Sequence, residues 1–236
     1  RGVSGLKRKR TNLNSMKQRM LITHLNPKSP IAEQYRTIRT NIDFSIADRN
    51  LRSLVVTSSG PGEGKSMTTA NLAVVMAQQG RKVLLVDADL RKPTVHYTFR
   101  LVNTEGLSNL LTKRAKLTDV LTKTDVDNLY VITSGPIPPN PAELLSSRAM
   151  HELMTQALGI FDIIIFDTPP VLAVTDAQIL SSQVDGTVLV VASGKTEKDA
   201  ALEAKDLLQK SQARILGVVL NRQPIKNSRY YYYYGN

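Results

Sequence analysis

Residues 51–66 read LRSLVVTSSGPGEGKS, and this stretch decides the fold. Leu51–Ser58 is a short apolar run of strand type. It empties into a glycine-rich turn, and Lys65–Gln79 then has a strong helix pattern, closed by Gly80. Strand, glycine-rich turn, Gly-Lys-Ser and helix is the context of a phosphate-binding P-loop. Small residues let backbone N–H groups curl round a phosphate. The helix N-terminus adds the positive end of its dipole. The candidate nucleotide-binding residues are Ser59, Gly60, Pro61, Gly62, Glu63, Gly64, Lys65, Ser66 and Met67. Lys65 can reach β- and γ-phosphate oxygens, and the Ser66 hydroxyl can ligate Mg²⁺. The usual pattern opens on glycine, and here that place is taken by Ser59, which is also small.

Outward from this stretch, the same kind of strand recurs. Lys82–Asp87, Leu129–Thr133, Asp162–Asp167, Gly186–Ala192 and Ile215–Leu220 are apolar throughout rather than alternating. Such strands are buried on both faces by flanking helices. Helix patterns at 107–111, 117–121, 142–147, 149–158, 176–183 and 198–212 lie between them, and a further helix runs from about Pro30 to Ile46 behind the Ser29–Pro30 pair. The expected class is α/β, a doubly wound, mostly parallel sheet flanked by helices, as in P-loop NTPases of the MinD/ParA type.

Two further strands end in acids. The second reads LLVDADLRKP and places Asp87 and Asp89 at its end, pointing the same way. In a parallel sheet the C-terminal strand ends lie beside the P-loop, where ligands bind. Two carboxylates there can hold Mg²⁺, and one can take a proton from an incoming hydroxyl. The third reads IIIFDTPP, an apolar run ending in Asp167, which is the Walker B arrangement for Mg²⁺.

The chain has 236 residues, no cysteine and three scattered histidines, His24, His96 and His151. Disulfides, iron–sulfur clusters, thiolate zinc sites and cysteine nucleophiles are therefore excluded. No apolar run is long enough to span a bilayer, and the expected location is cytoplasmic. The net charge of +11 sits at the ends. Residues 1–30 and 221–236 carry 8 and 3 basic residues with no acid, and residues 31–220 balance 20 against 20. A neutral body argues against a nucleic-acid-binding face. The expected division is a basic N-terminal tail at 1–28, a catalytic domain at 29–221 and a C-terminal tail at 222–236. The basic tail is either a solvated leader or a segment drawn to an anionic membrane surface. Of eight tyrosines, five form the run Tyr230, Tyr231, Tyr232, Tyr233 and Tyr234. Five aromatics outside a core need a reason. They are a docking strip, an added edge strand or a set of acceptor hydroxyls beside an ATP site.

SGPGEGKS, LLVDADLRKP and IIIFDTPP together resemble the Walker A, A′ and B motifs of bacterial tyrosine kinases, in the Gram-positive branch where kinase and membrane adaptor are separate chains. The likeness runs from about Pro27 to Asn236 and includes SGPIPPNPAELL at 134–145 and the tyrosine run. ParA/MinD-type ATPases are the nearest competitor, but their loop carries an extra lysine where this chain has Gly60. The resemblance implies an ATP- and Mg²⁺-dependent protein-tyrosine kinase that phosphorylates its own tail. That step would occur in trans, within a ring of identical subunits, in capsule or exopolysaccharide synthesis. Asp87 would be the base, and Asp89 and Asp167 would organise Mg²⁺. Two roles are open for Arg91, orienting phosphate or binding an aspartate structurally. Asn221 sits where related folds contact adenine. Glu33, Arg36 and Arg39 resemble the family motif that touches the neighbouring subunit, although an intrahelical Glu–Arg pair explains the same spacing. The implied partners are protein tyrosine substrates and a membrane adaptor of the polysaccharide co-polymerase type, which would recruit the chain to the inner face of the membrane. A positioning ATPase without kinase activity and a nucleotide-dependent scaffold are the alternatives.

Overall fold

The computed structural model describes residues 21–46 and 50–224. Most of the basic tail and all of Tyr230–Tyr234 lie outside the described residues. Seven strands form one sheet: β1 (Ser53–Ser58), β2 (Val83–Asp87), β3 (Thr122–Lys123), β4 (Leu129–Ile132), β5 (Ile163–Asp167), β6 (Gly186–Ala192) and β7 (Ile215–Asn221). Their order is β3-β4-β2-β5-β1-β6-β7, and every pairing is parallel except β3 with β4. This is the expected doubly wound sheet.

The uniformly apolar strands serve two cores at once. Leu54 and Val56 of β1, Val83 and Leu85 of β2, and Ile163 and Ile165 of β5 face the cluster around helix α3 (Lys65–Ala77). Their alternates Val55, Leu84, Val86, Ile164 and Phe166 face the opposite cluster, which holds Leu145, Met150, Leu153 and Phe161. A strand with both faces covered has no place for a polar residue until it reaches its end. Helix α3 is itself buried nearly all round, from Thr68 to Ala77. It is the central helix, and it begins at the phosphate loop.

The remaining helices are α1 (Ile22–Leu25), α2 (Pro30–Phe44), α4 (Val95–Phe99), α5 (Leu107–Leu111), α6 (Leu117–Val120), α7 (Pro141–Leu145), α8 (Arg148–Leu158), α9 (Asp176–Ser181) and α10 (Lys198–Lys210). Ser29 caps α2, its hydroxyl accepting from the Ala32 N–H at 3.1 Å, with Pro30 in the first turn. Three pieces were not foreseen: α1, α4 and β3. Each is short and held by tertiary bonds rather than by its own pattern. Thr23 in α1 is fully buried, and both its N–H and its hydroxyl donate to Asn71 Oδ1 of α3, at 3.1 and 2.8 Å.

The 103–109 segment closes the end of β4. Leu107 and Ser108 N–H donate to the carbonyls of Thr133 and Ser134 at 2.8 and 2.9 Å. A Cβ on Gly106 would stand 2.1 Å from Thr133 O and 2.4 Å from Gly135 N, both backbone atoms. Gly106→Ala is therefore expected to force the two loops apart and to destabilise the chain by about 1–3 kcal/mol. A urea-unfolding midpoint equal to that of the wild type is the contrary result.

Candidate active site

Strand β1 ends at Ser58, and the chain turns through the loop 59–64 into α3. Gly62 and Gly64 take φ of +72° and +92°, values that side chains rarely adopt. At Gly64 a Cβ would stand 2.0 Å from Asn221 Nδ2. Only a bare backbone fits there, because the end of β7 is packed on the loop. Asn221 Nδ2 donates to the Glu63 carbonyl at 2.8 Å. The residue that the sequence places near the base is therefore in contact with the phosphate loop. It also lines a groove of about 810 Å³ between α2 and β7, together with Tyr35 and Thr68.

The centre of the site is Lys65, which is 8% exposed. Its ammonium lies 3.2 Å from Asp167 Oδ1, 3.3 Å from Asp89 Oδ2 and 3.1 Å from Ser66 Oγ. Burial disfavours the charged amine, but the carboxylates of Asp167, Asp89 and Asp87 outweigh it and raise its pKa above the ordinary lysine value. Lys65 is a cation throughout the physiological range. Thr69, one turn into α3, donates its hydroxyl to the same Asp167 oxygen at 3.2 Å.

The three acids come together as the sequence places them, with different partners. Asp87 pairs in register with Asp167 across the β2–β5 ladder. Asp87 Oδ2 accepts from the N–H groups of Thr94 and Val95 at 3.1 and 3.0 Å, so this carboxylate starts α4. Burial pushes the Asp87 carboxyl up to about 8, and the charge of Asp167 pushes the same way. Asp167 is fully buried and is also raised, by burial against the attraction of Lys65. Asp89 Oδ1 accepts from the Lys92 N–H at 3.0 Å, which leaves Oδ2 for Lys65.

The donor set suits Mg²⁺, which takes one or two carboxylates plus phosphate oxygens rather than an all-protein cage. Among the described residues, no group of three or more acids, histidines or cysteines converges on a metal position. Asp167 Oδ2, however, is buried without a hydrogen-bond partner, and Ser66 Oγ stands on Lys65 beside it. Ser66 and Asp167 are the oxygen ligands that would hold the ion against a nucleotide. Asp89 is engaged by Lys65, and Asp87 by backbone N–H groups.

Arg91 takes the second of its two open roles. Its guanidinium pairs bidentately with Asp176 at the start of α9, Nε to Oδ2 at 2.9 Å and Nη2 to Oδ1 at 3.0 Å. Asp176 is fully buried and was not foreseen as a partner, although an acid in the first turn of a helix signals little more than dipole compensation. The α2 stripe is also engaged within the chain, although Arg39 Nε is buried without a partner. Arg36 Nη1 meets Glu33 Oε2 at 2.6 Å, the intrahelical pair, and its Nη2 donates to the Pro27 carbonyl at 2.6 Å. Arg39 turns onto the Val75 carbonyl of α3 at 2.9 Å. The loop after β6, with Lys195 and Thr196, also touches the phosphate loop, at Pro61 and Glu63.

Comparison with known proteins agrees with this geometry. Residues 51–210 match the family described as "AAA domain". The chain is 54% identical over 226 residues to tyrosine-protein kinase YwqD of Bacillus subtilis, covering 96% of this chain and 95% of that one. It is 47% identical over 216 residues to the protein named putative tyrosine-protein kinase CapB of Staphylococcus aureus, covering 91% and 95%. Its fold superposes on the crystal structure of the chimerical protein CapA2B2 with a TM-score of 0.84 and 50% identity, over 86% of this chain and 90% of that one. Among the described residues, no helix is long and apolar enough to cross a membrane. With its glycine loop, buried lysine and paired strand-end acids, the chain belongs to the bacterial tyrosine kinases of Gram-positive type and is a protein-tyrosine kinase on a nucleotide-binding P-loop fold.

Proposed function

We propose that this kinase transfers the γ-phosphoryl group of ATP, with Mg²⁺, to the hydroxyls of its own Tyr230–Tyr234. The observation that carries the reading is the contact between the end of β7 and the phosphate loop, Asn221 Nδ2 on Glu63 O. The polypeptide leaves the sheet at the site itself, and Tyr230 follows nine residues later. That length spans at most ~30 Å when extended, enough for its own site or a neighbour's.

The residues divide the work as follows. The backbone of 59–64 and the ammonium of Lys65 bind and orient the phosphates. Ser66 and Asp167 would hold Mg²⁺, which would supply charge neutralisation at the phosphates. Asp87 accepts the tyrosine hydroxyl proton as the oxygen attacks phosphorus and the bond to the leaving diphosphate breaks. A bound divalent cation nearby would favour the ionised form of Asp87 that this step requires. The groove beside Asn221 takes the base. Acceptor tails come from the next subunit in a ring, built through the Glu33–Arg36–Arg39 face of α2. The ring works at the inner face of the membrane, where an adaptor of polysaccharide co-polymerase type recruits it for capsule or exopolysaccharide synthesis. A relative from Klebsiella pneumoniae named a putative tyrosine-protein kinase in cps region, and the chimerical protein CapA2B2, support this setting.

Intact mass after incubation with Mg·ATP is expected to rise in steps of ~80 Da, one per phosphoryl group, with none in Lys65→Met. Release of ADP without added mass would make the chain a positioning ATPase instead.

For the ring, Arg36→Ala with Arg39→Ala is expected to shift the light-scattering mass toward the monomer, with a modest fall in melting temperature from the lost bonds to Pro27 and Val75 and a folded far-UV circular dichroism spectrum. A double variant that assembles like the wild type removes this use of α2.

The acids predict a pH dependence of the metal-free chain. Asp87 titrates near 8 when folded and near 3.8 when unfolded. The folded state binds more protons between these values, so this contribution to stability is lost as pH rises through about 8. In chelator, the melting temperature is expected to fall from about pH 5 to about pH 8.5, and less steeply in Asp87→Asn. Equal slopes in the two proteins contradict the assignment.

A further inference from the structure

Three carbonyls of the phosphate loop are held from outside by side chains. Ser58 Oγ donates to Gly60 O at 2.9 Å, Lys195 Nζ to Pro61 O at 2.7 Å and Asn221 Nδ2 to Glu63 O at 2.8 Å. All peptide bonds among the described residues are trans. In a planar trans peptide the C=O and the following N–H point opposite ways. Holding Pro61 O outward therefore aims the Gly62 N–H inward, and holding Glu63 O outward aims the Gly64 N–H inward. The Gly60 carbonyl precedes Pro61, which has no N–H to aim. The inward donors of this part of the loop thus depend on two outside groups, Lys195 and Asn221.

Lys195 belongs to the turn between β6 and α10, a segment that no motif singled out. The turn is firmly built. Lys195 and Thr196 N–H both donate to Ala192 O, at 3.1 and 2.9 Å. The Thr196 hydroxyl accepts from the Ala192 N–H at 2.8 Å and donates to Glu63 Oε1 at 2.6 Å. Glu63 is only 4% exposed, and its Oε2 has no partner. Thr196 thereby fastens the turn to a buried acid inside the loop, and Lys195 is delivered to the neighbouring carbonyl. Its ammonium lies so close to Gly62 that a Cβ there would meet it at 2.8 Å. The side chain is otherwise exposed to solvent.

We propose that Lys195 is a positioning residue for nucleotide binding, holding the Pro61 carbonyl outward so that the Gly62 N–H faces the nucleotide's phosphates. The inference rests on the reading of loop 59–66 as a nucleotide site. It makes the β6–α10 turn an outer wall of the cradle, with Thr196 and Glu63 as its hinge pin. A charge-assisted hydrogen bond held in place before binding spares the ligand the ordering of that peptide.

The test uses the whole chain with Mg²⁺, comparing wild type, Lys195→Met and Lys195→Arg by calorimetric titration with ADP and ATP, and by kinase kinetics. Lys195→Met is expected to weaken both nucleotides about tenfold, the size of one lost hydrogen bond to a charged group. KM for ATP should rise in step, while kcat at saturating ATP and the nucleotide-free melting temperature stay near wild type. Lys195→Arg, which keeps a cationic donor, should recover most of the affinity. Wild-type affinity in Lys195→Met overturns the proposal, as does a loss confined to kcat, which would make Lys195 a catalytic group instead. A wild-type chain that binds neither nucleotide overturns the underlying reading, and the proposal with it.

Discussion

A buried ammonium shared between two strand-end carboxylates holds this structure to its purpose. Lys65 lies between Asp167 and Asp89 at 3.2 and 3.3 Å, with both acids almost wholly out of water. Either charge alone in that place would cost several kcal/mol, so the lysine and the acids require one another. Their agreement forces β1, β2 and β5 to end side by side. It also leaves three carboxylates facing one cation, because Asp87 stands in register with Asp167. Burial raises the pKa of both Asp87 and Asp167, with neighbouring carboxylates pushing the same way and Lys65 opposing them. A site with that imbalance is prepared for a divalent cation.

The sheet order meets this requirement economically. Strand β5 runs between β2 and β1, so the third acid in sequence sits centrally, between the loop and the first two. On the other side β6 and β7 extend past β1, and their C-terminal ends also reach the phosphate loop, through Lys195, Thr196 and Asn221. The loop is thus clasped from two directions, by acids below the lysine and by donors behind its carbonyls. Parallel topology makes this possible, since every strand of the set delivers its C-terminal end to one edge.

Much of this was legible in the sequence. Uninterrupted apolar runs mark strands of a covered sheet, and β1, β2, β5, β6 and β7 fall within two residues of their expected bounds, although β7, at the sheet edge, leaves Val218 and Leu220 exposed where burial on both faces was expected. Gly80 closes α3 with φ of +92°, as its position after the apolar pattern requires. The illegible parts are those in which a polar side chain chooses among partners distant in sequence. Arg91 finds Asp176 across 85 residues, and Arg39 leaves its helix stripe for the Val75 carbonyl. The α4 turn exists because Asp87 collects the Thr94 and Val95 N–H groups, which no periodicity announces. Lys195 carries at most a weak signal, a lysine beside a threonine just past a parallel strand.

The exit of the chain at Asn221 bears on how the tail is used. Asn221 is fixed to the loop by its side chain and to β6 by its backbone, its carbonyl accepting from the Ser193 N–H at 2.8 Å. The tail is therefore tethered at the rim of the site rather than at a remote terminus. A tether of that kind raises the local concentration of whatever follows Asn221 at any site within reach. Strand β7 lies at one edge of the sheet, and β5, β1 and β6 separate it from β2, which carries Asp87. The chain therefore leaves the sheet beside the phosphate loop, with three strands between its exit and the one that carries Asp87.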